Sequence, residues 1–184
     1  MYQGKDRKLN RWFGYDYSMP GHYFVTICTQ NRISHFGEIV EGKMVLNEIG
    51  KIAEKQLHWV VNQYDYVKLD EYVIMPNHVH VIFEIINDVK IFGKNADVGN
   101  VLERSLRNAD EAKILPLYRI VGAFKTTSSK LIHQQQNNFH FAWQKSFHDR
   151  VIREEKELNN RRYYIQQNPA RWAEDRNNPI NTNK

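Results

Sequence analysis

The sequence predicts an α+β fold in which helices pack on one face of an antiparallel sheet. Two apolar runs, 67–75 and 78–86, are separated by only two residues, which is typical of a tight hairpin of antiparallel strands. Two other segments, 49–64 and 117–131, carry apolar residues at helical spacing. An amphipathic helix buries a single stripe, so packing such helices on a sheet is the architecture that this order of elements favours.

The remaining elements follow in chain order. β-branched and aromatic residues predict a strand over 23–29, and 36–46 has the pattern of a short hairpin. Asn47 is placed to cap the helix that follows it. A last helix is predicted from about Glu154 to Asn168, because Pro169 cannot continue it. A strand pair followed by a helix resembles half of a ferredoxin-like unit.

The chain is predicted to form one domain over 1–184, since 184 residues are enough to bury a core. Within it, 1–20 is predicted to be a polar N-terminal arm, and the polar stretch 87–113 an insertion or loop. Hydrophobic residues make up 41% and charged residues 26%, which indicates an ordinary globular protein. The formal net charge of +5 is compatible with nucleic-acid binding.

Cysteine usage and hydropathy indicate the compartment. Cys28 is the single cysteine, which excludes an internal disulfide and favours a reducing cytosol. The first residues have no apolar core of the signal-peptide type, and no apolar run has the length of a membrane span. We therefore expect a soluble, cytoplasmic protein that does not interact with a membrane.

Two histidines, His78 and His80, stand one residue apart in the second strand of the predicted 67–86 hairpin. Side chains alternate along a strand, so both imidazoles share a face and their Cα atoms lie about 6.6 Å apart. They can converge on one metal ion while Val79 and Val81 face the core. The chain has 8 histidines, so this pair alone is a weak signal and needs a distant partner.

That partner is predicted on the last helix, where Tyr164 and Asn168 are four residues apart and so share a face. If the helix crosses the histidine strand, Asn168 can offer an amide oxygen to the ion. Two imidazoles, an amide oxygen and open water positions suit Mg²⁺ or Mn²⁺. Tyr164 would then lie near a phosphate held by the ion. Tyr163 is the rival nucleophile, but adjacent helical residues point about 100° apart, and the spacing to Asn168 selects Tyr164.

These motifs together resemble a known family. The ordered set comprises 23–26, His78-Val79-His80, 121–125, 143–153 and 164–169, and it spans roughly 20–172. It is similar to the single-tyrosine HUH transposases, and within them to the branch called REP-associated tyrosine transposases. Two features depart from the family pattern: the insertion 87–113 is long, and the residues after Asn168 differ from the usual continuation.

The resemblance implies an HUH endonuclease-type fold and a divalent cation, Mg²⁺ or Mn²⁺, bound by His78, His80 and Asn168. It implies that Tyr164 attacks a phosphodiester in single-stranded DNA, giving a 5′-phosphotyrosine and a free 3′-OH. It also implies DNA hairpins as partners. Insertion-sequence relatives form dimers whereas the REP-associated type can act as a monomer, so a homodimer stays open. The expected enzyme is a DNA endonuclease and strand transferase.

Two alternatives remain at this point: a domesticated hairpin-DNA-binding protein without transposition activity, and a metal-dependent nuclease that uses water as nucleophile. For either role, or for the transposase, basic and aromatic residues of the C-terminal half are candidate DNA contacts. These are Lys125, Trp143, Lys145, Arg150 and Arg153. The alternatives are a core position for Trp143 and an exposed helix position without a specific role for Lys125.

Overall fold

A computed structural model describes residues 15–86 and 116–181. Its strands are β1 (Gly21–Cys28), β2 (Gly37–Val40), β3 (Lys43–Leu46), β4 (Val67–Met75), β5 (His78–Ile85) and β6 (His148–Ile152). Its helices are α1 (Glu48–Val61), α2 (Leu117–Gln136) and α3 (Glu155–Gln167), followed by two short 3₁₀ turns, Trp172–Glu174 and Pro179–Asn181. The predicted insertion 87–113, and residues 1–14 of the predicted arm, lie outside the described residues.

The main sheet has four antiparallel strands in the order β4-β5-β1-β6, and β2 pairs with β3 in a separate hairpin. The two predicted hairpins are therefore present. β6 was not expected from the sequence, because three of the five residues in 148–152 are polar. Among the described strands it lies at the edge of the sheet and pairs with β1 alone, a position that tolerates such a sequence.

The predicted α+β class is confirmed, but the helices cover both faces of the sheet instead of one. On one face, α1 and α2 pack against Val25, Ile27, Val79 and Val81. On the other face, α3 packs through Leu158 and Ile165; the sheet residues that it covers are Phe24, Ile82 and Ile152. The physical reason is that β1 and β5 are central strands, with apolar side chains on both sides that must be removed from water. None of the described helices has the length and apolar character needed to cross a bilayer.

Helix α1 begins as predicted, and its first turn touches the chain that precedes it. The Asn47 side chain accepts a hydrogen bond from the Gly50 amide at 2.9 Å, which is a standard N-cap. The Phe36 carbonyl oxygen accepts from the Asn47 amide at 3.0 Å. A Cβ atom at Gly50 would lie 2.2 Å from this oxygen, so the close approach requires glycine.

Gly50→Ala is therefore expected to destabilise the protein by about 3 kcal/mol, because the methyl group displaces a hydrogen-bonded carbonyl. Gly122→Ala is the matched control: this glycine is exposed on α2 and a Cβ there meets no atom within 4 Å. The control is expected to stabilise the protein by about 0.5–1 kcal/mol, since alanine favours the helix. Urea unfolding of both variants measures the difference, and equal stabilities would contradict the steric argument.

Candidate metal centre and tyrosine

The histidine pair lies in the middle of the sheet, on the face that α3 covers. His78 and His80 are fully buried, and their Nε2 atoms are 3.0 Å apart. The His80 ring stacks on Phe24 of β1, with ring centroids 5.3 Å apart. The intervening Val79 points to the opposite face, as the alternation of a strand requires. The backbone thus brings two imidazole nitrogens to one point.

Both imidazoles are oriented through their other nitrogen. The Asn77 amide donates to the Arg32 and Asn177 carbonyl oxygens at 2.9 and 2.8 Å, which leaves its Oδ1 to accept. His78 Nδ1–H donates to that oxygen at 2.8 Å, so the lone pair of His78 is on Nε2. His80 Nδ1 lies 2.8 Å from the Thr26 hydroxyl. Such partners commonly fix the orientation of metal-ligating histidines.

A carboxylate not predicted from the sequence completes this cluster. Asp175 follows the 3₁₀ turn Trp172–Glu174, is buried, and places Oδ2 3.8 Å from His78 Nε2. Ligand atoms of Asp175, His78 and His80 all lie within 4.8 Å of one another. Asp175 Oδ1 accepts a hydrogen bond from the Asn177 backbone amide, whereas Asp175 Oδ2 has no hydrogen-bond partner within the described ranges.

Asn168, predicted as the third ligand, is also buried, at the C-cap of α3. Its Oδ1 likewise lacks a hydrogen-bond partner among residues 15–86 and 116–181. A buried amide or carboxylate oxygen without a partner is costly, and a cation removes that cost. Two nitrogens that each lie about 2.1 Å from one ion at a right angle are about 3.0 Å apart, which matches the histidine pair. The donor set therefore fits a divalent cation.

The surroundings of the two histidines favour the neutral form of their imidazole rings. Burial lowers the pKa of both His78 and His80, and for His80 the neighbouring His78 lowers it further. Asp175 opposes this shift at His78, but the effect of burial is larger. Both rings are therefore neutral at pH 7, the protonation state that binds a metal.

Tyr164 of α3 adjoins the pair. Its hydroxyl lies 3.4 Å from His80 Nε2, and the two ring centroids are 5.2 Å apart. Tyr164 is 36% exposed, against 58% for its neighbour Tyr163, which points further into solvent. Burial raises the pKa of Tyr164 and Asp175 raises it further; a hydrogen bond from Asn168 and the charges of nearby arginines partly offset this. The phenol is thus protonated at rest and reachable from solvent.

The structure gives two of the predicted DNA contacts other roles. Trp143 is only 7% exposed, packs on Phe124, and donates its indole N–H to Ser128 at 3.0 Å. It belongs to the core and cannot stack on a base, which corrects the prediction. Lys125 donates its ammonium to the carbonyl oxygens of Gln144 and Lys145, so it joins α2 to the following loop instead of facing a phosphate.

The other predicted contacts are at the surface. Lys145, Arg150 and Arg153 are exposed, and Arg150 forms an ion pair with Glu157 of α3. Asp175 was missed because it is one of 21 acidic residues and follows no periodic element. The one local signal that could have suggested it is the polar, turn-rich composition after α3, where a segment can fold back over the sheet.

The metal-free protein is expected to lose stability as pH falls from 7 to 5. The pKa values of His78 and His80 are lowered in the folded state, so below about 6.5 the unfolded chain binds more protons. Thermal melting in a chelator, between pH 7 and 5, tests this. His80→Asn should flatten the decline, whereas His140→Asn, at an exposed position, should retain it. Parallel curves for wild type and His80→Asn would refute the expectation.

Comparisons with known proteins bear on the family and the fold of the chain. No family model matches the chain. An uncharacterised protein of Haemophilus influenzae is 33% identical over 169 residues, which is 92% of this chain and 91% of that protein. A REP-associated tyrosine transposase, solved bound to a REP hairpin, superposes with a TM-score of 0.55 and 16% identity, over 88% of this chain and 73% of that one. A candidate transposase of Deinococcus radiodurans R1 gives a TM-score of 0.41 and 15% identity, over 85% and 96%. The predicted resemblance is confirmed at the level of the fold.

Proposed function

The chain belongs to one family with the Haemophilus influenzae protein and has the fold of a REP-associated tyrosine transposase. We therefore propose that it is a metal-dependent, single-tyrosine DNA strand transferase. One observation carries the proposal: the Tyr164 hydroxyl lies 3.4 Å from His80, beside a buried group of potential metal ligands.

In this proposal His78, His80 and Asp175 hold the cation, and Asn168 offers a fourth donor. A divalent cation bound there would polarise a phosphate oxygen as a Lewis acid. The two unpartnered oxygens, on Asn168 and Asp175, support this assignment.

The Tyr164 oxygen attacks the phosphorus of a DNA phosphodiester, the P–O3′ bond breaks, and the leaving 3′ oxygen takes a proton from solvent to become a hydroxyl. The phenol proton passes to solvent, to which Tyr164 is partly exposed. The charges of Arg161 and Arg176 and the Asn168 hydrogen bond favour the phenolate as it forms. Attack by a 3′-OH on the phosphotyrosine then rejoins DNA and restores the tyrosine. The bond energy is conserved, so no nucleotide cofactor is required.

The proposed substrate is single-stranded or hairpin DNA. The transposase that shares this fold was solved on a REP hairpin, which supports that class of ligand. A cavity of about 450 Å³ lies against α3 and is lined by Arg150, Lys156 and Arg161, together with Glu154, Glu157 and Asn160. Arg161, which lines this cavity, is one helical turn before Tyr164 on α3. The three basic side chains of the cavity suit the backbone of the strand that flanks the cut.

Covalent capture tests the proposal. The protein is incubated with labelled single-stranded and hairpin oligonucleotides from the flanks of its own gene, with Mn²⁺, Mg²⁺ or a chelator. Denaturing gels and peptide mass spectrometry should show a metal-dependent adduct on the peptide that contains Tyr164, with one free 3′-OH fragment for each adduct. Cleavage without an adduct would mean a water nucleophile. Hairpin binding without cleavage would mean a binding protein that does not transpose. Either result overturns the proposal.

A further inference from the structure

Strand β4 contains a β-bulge next to the candidate site. Leu69 pairs with Phe83 and Glu71 pairs with Ile82, the residue adjacent to Phe83 on β5, so Asp70 is an extra residue on β4. A bulge of this kind changes the face to which the following side chains point.

The bulge directs two consecutive carboxylates to α3. Leu69 and Tyr72 both pack on the side of the sheet that α1 and α2 cover. In a regular strand, residues three apart point to opposite faces, so the bulge accounts for this arrangement. The two residues between them, Asp70 and Glu71, both contact α3 on the opposite side. A regular strand would present only one of these carboxylates to the helix.

The contacts are specific. The Arg162 guanidinium donates to Asp70 through Nε to Oδ1 and through Nη2 to Oδ2, each at 2.8 Å. The Asp70 side chain is only 12% exposed, which makes this bidentate pair stronger than an ordinary surface ion pair. One turn further along α3, the Gln166 amide donates to Glu71 at 2.8 Å.

The buried apolar residues of α3 do not by themselves fix its rotation, to which the packing of the Tyr164 ring on Phe24 and His80 also contributes. Its buried residues, Leu158 and Ile165, are seven positions apart and form a single line along the helix. At about 100° per residue, Arg162 lies about 40° and Gln166 about 80° to one side of that line. Tyr164 lies about 120° to the other side. Rotation about the line would therefore move the tyrosine, and the polar contacts with β4 oppose it.

We infer that Asp70 and Arg162 are positioning residues that fix the rotation of α3 and so hold the Tyr164 hydroxyl at the metal centre. The inference rests on the proposed function for its effect on catalysis. At the outer radius of a helix, about 6 Å, a rotation of about 10° moves an atom by about 1 Å. A misplacement of that size can reduce a reaction rate about 100-fold.

The test compares Asp70→Asn, Arg162→Gln and the double variant with wild type. Asp70→Asn is close in shape and leaves the helix sequence intact. We expect the single-turnover rate of adduct formation to fall about 100-fold in each single variant, with Mn²⁺ and DNA dissociation constants changed by less than about threefold. The double variant should be no slower than the single ones, because both remove the same contact. Lys51→Gln, which breaks an exposed ion pair with Glu48 on α1, is the matched control.

Hydrogen exchange gives a readout that needs no activity. Protection of 155–167 should fall in Asp70→Asn and Arg162→Gln, while protection of β5 and α1 stays unchanged. If wild type forms no adduct, the proposed function fails, but the exchange data still decide whether this contact holds α3. Unchanged exchange over 155–167 in both variants would overturn the inference. The inference would also be overturned if the rate of adduct formation in these variants fell only in proportion to the fraction of the variant protein that is unfolded.

Discussion

Tyr164→Phe is expected to abolish the protein–DNA adduct, lowering its yield at least about 10³-fold, while Mn²⁺ binding is retained. The substitution removes the oxygen that would attack phosphorus and leaves the ring against Phe24 and His80. Folding should be little affected, because the contact to His80 is a long one, at 3.4 Å, and loss of the Asn168 hydrogen bond costs about 1 kcal/mol. Denaturing gels with labelled DNA give the adduct yield, and calorimetry with Mn²⁺ gives the affinity.

Tyr163→Phe is the matched control for this experiment. It deletes the same hydroxyl from the adjacent and more exposed position, and should form the adduct at the wild-type rate. An adduct that survives in Tyr164→Phe but disappears in Tyr163→Phe would show that the nucleophile is the neighbour. Loss in both variants would indicate that the helix, and not one hydroxyl, is the sensitive element.

Asp175→Asn is expected to weaken Mn²⁺ binding at least about 100-fold and to suppress adduct formation with it. The carboxylate is the charged oxygen donor of the His78–His80–Asp175 cluster, and ligand charge is a main determinant of the affinity for hard cations. The amide of the variant can still accept from Asn177, so the local turn should persist. Titration calorimetry with the chelator-treated protein measures the change.

Glu174→Gln is the control for Asp175→Asn, because it removes an adjacent, exposed carboxylate and should leave the affinity unchanged. Asn168→Ala distinguishes the two oxygen donors. If Asn168→Ala loses Mn²⁺ binding and Asp175→Asn does not, the amide predicted from the sequence is the third ligand and the carboxylate only lies nearby. Retention of full affinity in both variants would refute the metal centre described above.

Local patterns in the sequence predicted those features that depend on local contacts. Alternation and periodicity report which face of an element is buried, so β4, α1 and the cap at Asn47 were predicted to within three residues at their ends. The His78–His80 pair was identified for the same reason, since two residues on one strand need no tertiary information to share a face. Tyr164 followed from its spacing to Asn168 on a single helix.

Long-range contacts account for what the sequence did not predict. Asp175 is 97 positions from His78, and an isolated aspartate after a helix carries no pattern that points to a strand. Trp143 illustrates the reverse error, because an aromatic residue in a basic stretch has the same composition whether it stacks on a base or fills the core. β6 is stabilised by pairing with β1 and not by its own apolar residues.

The order of the donors along the chain has a consequence for synthesis. The two histidines lie on a strand that ends at Ile85, whereas the tyrosine, the amide and the carboxylate all come after Glu154. A chain emerges from the ribosome from its N-terminus and folds in that order. A chain that stops between Ile85 and Glu154 therefore carries two imidazoles but no nucleophile, and under the proposed mechanism it cannot cut DNA.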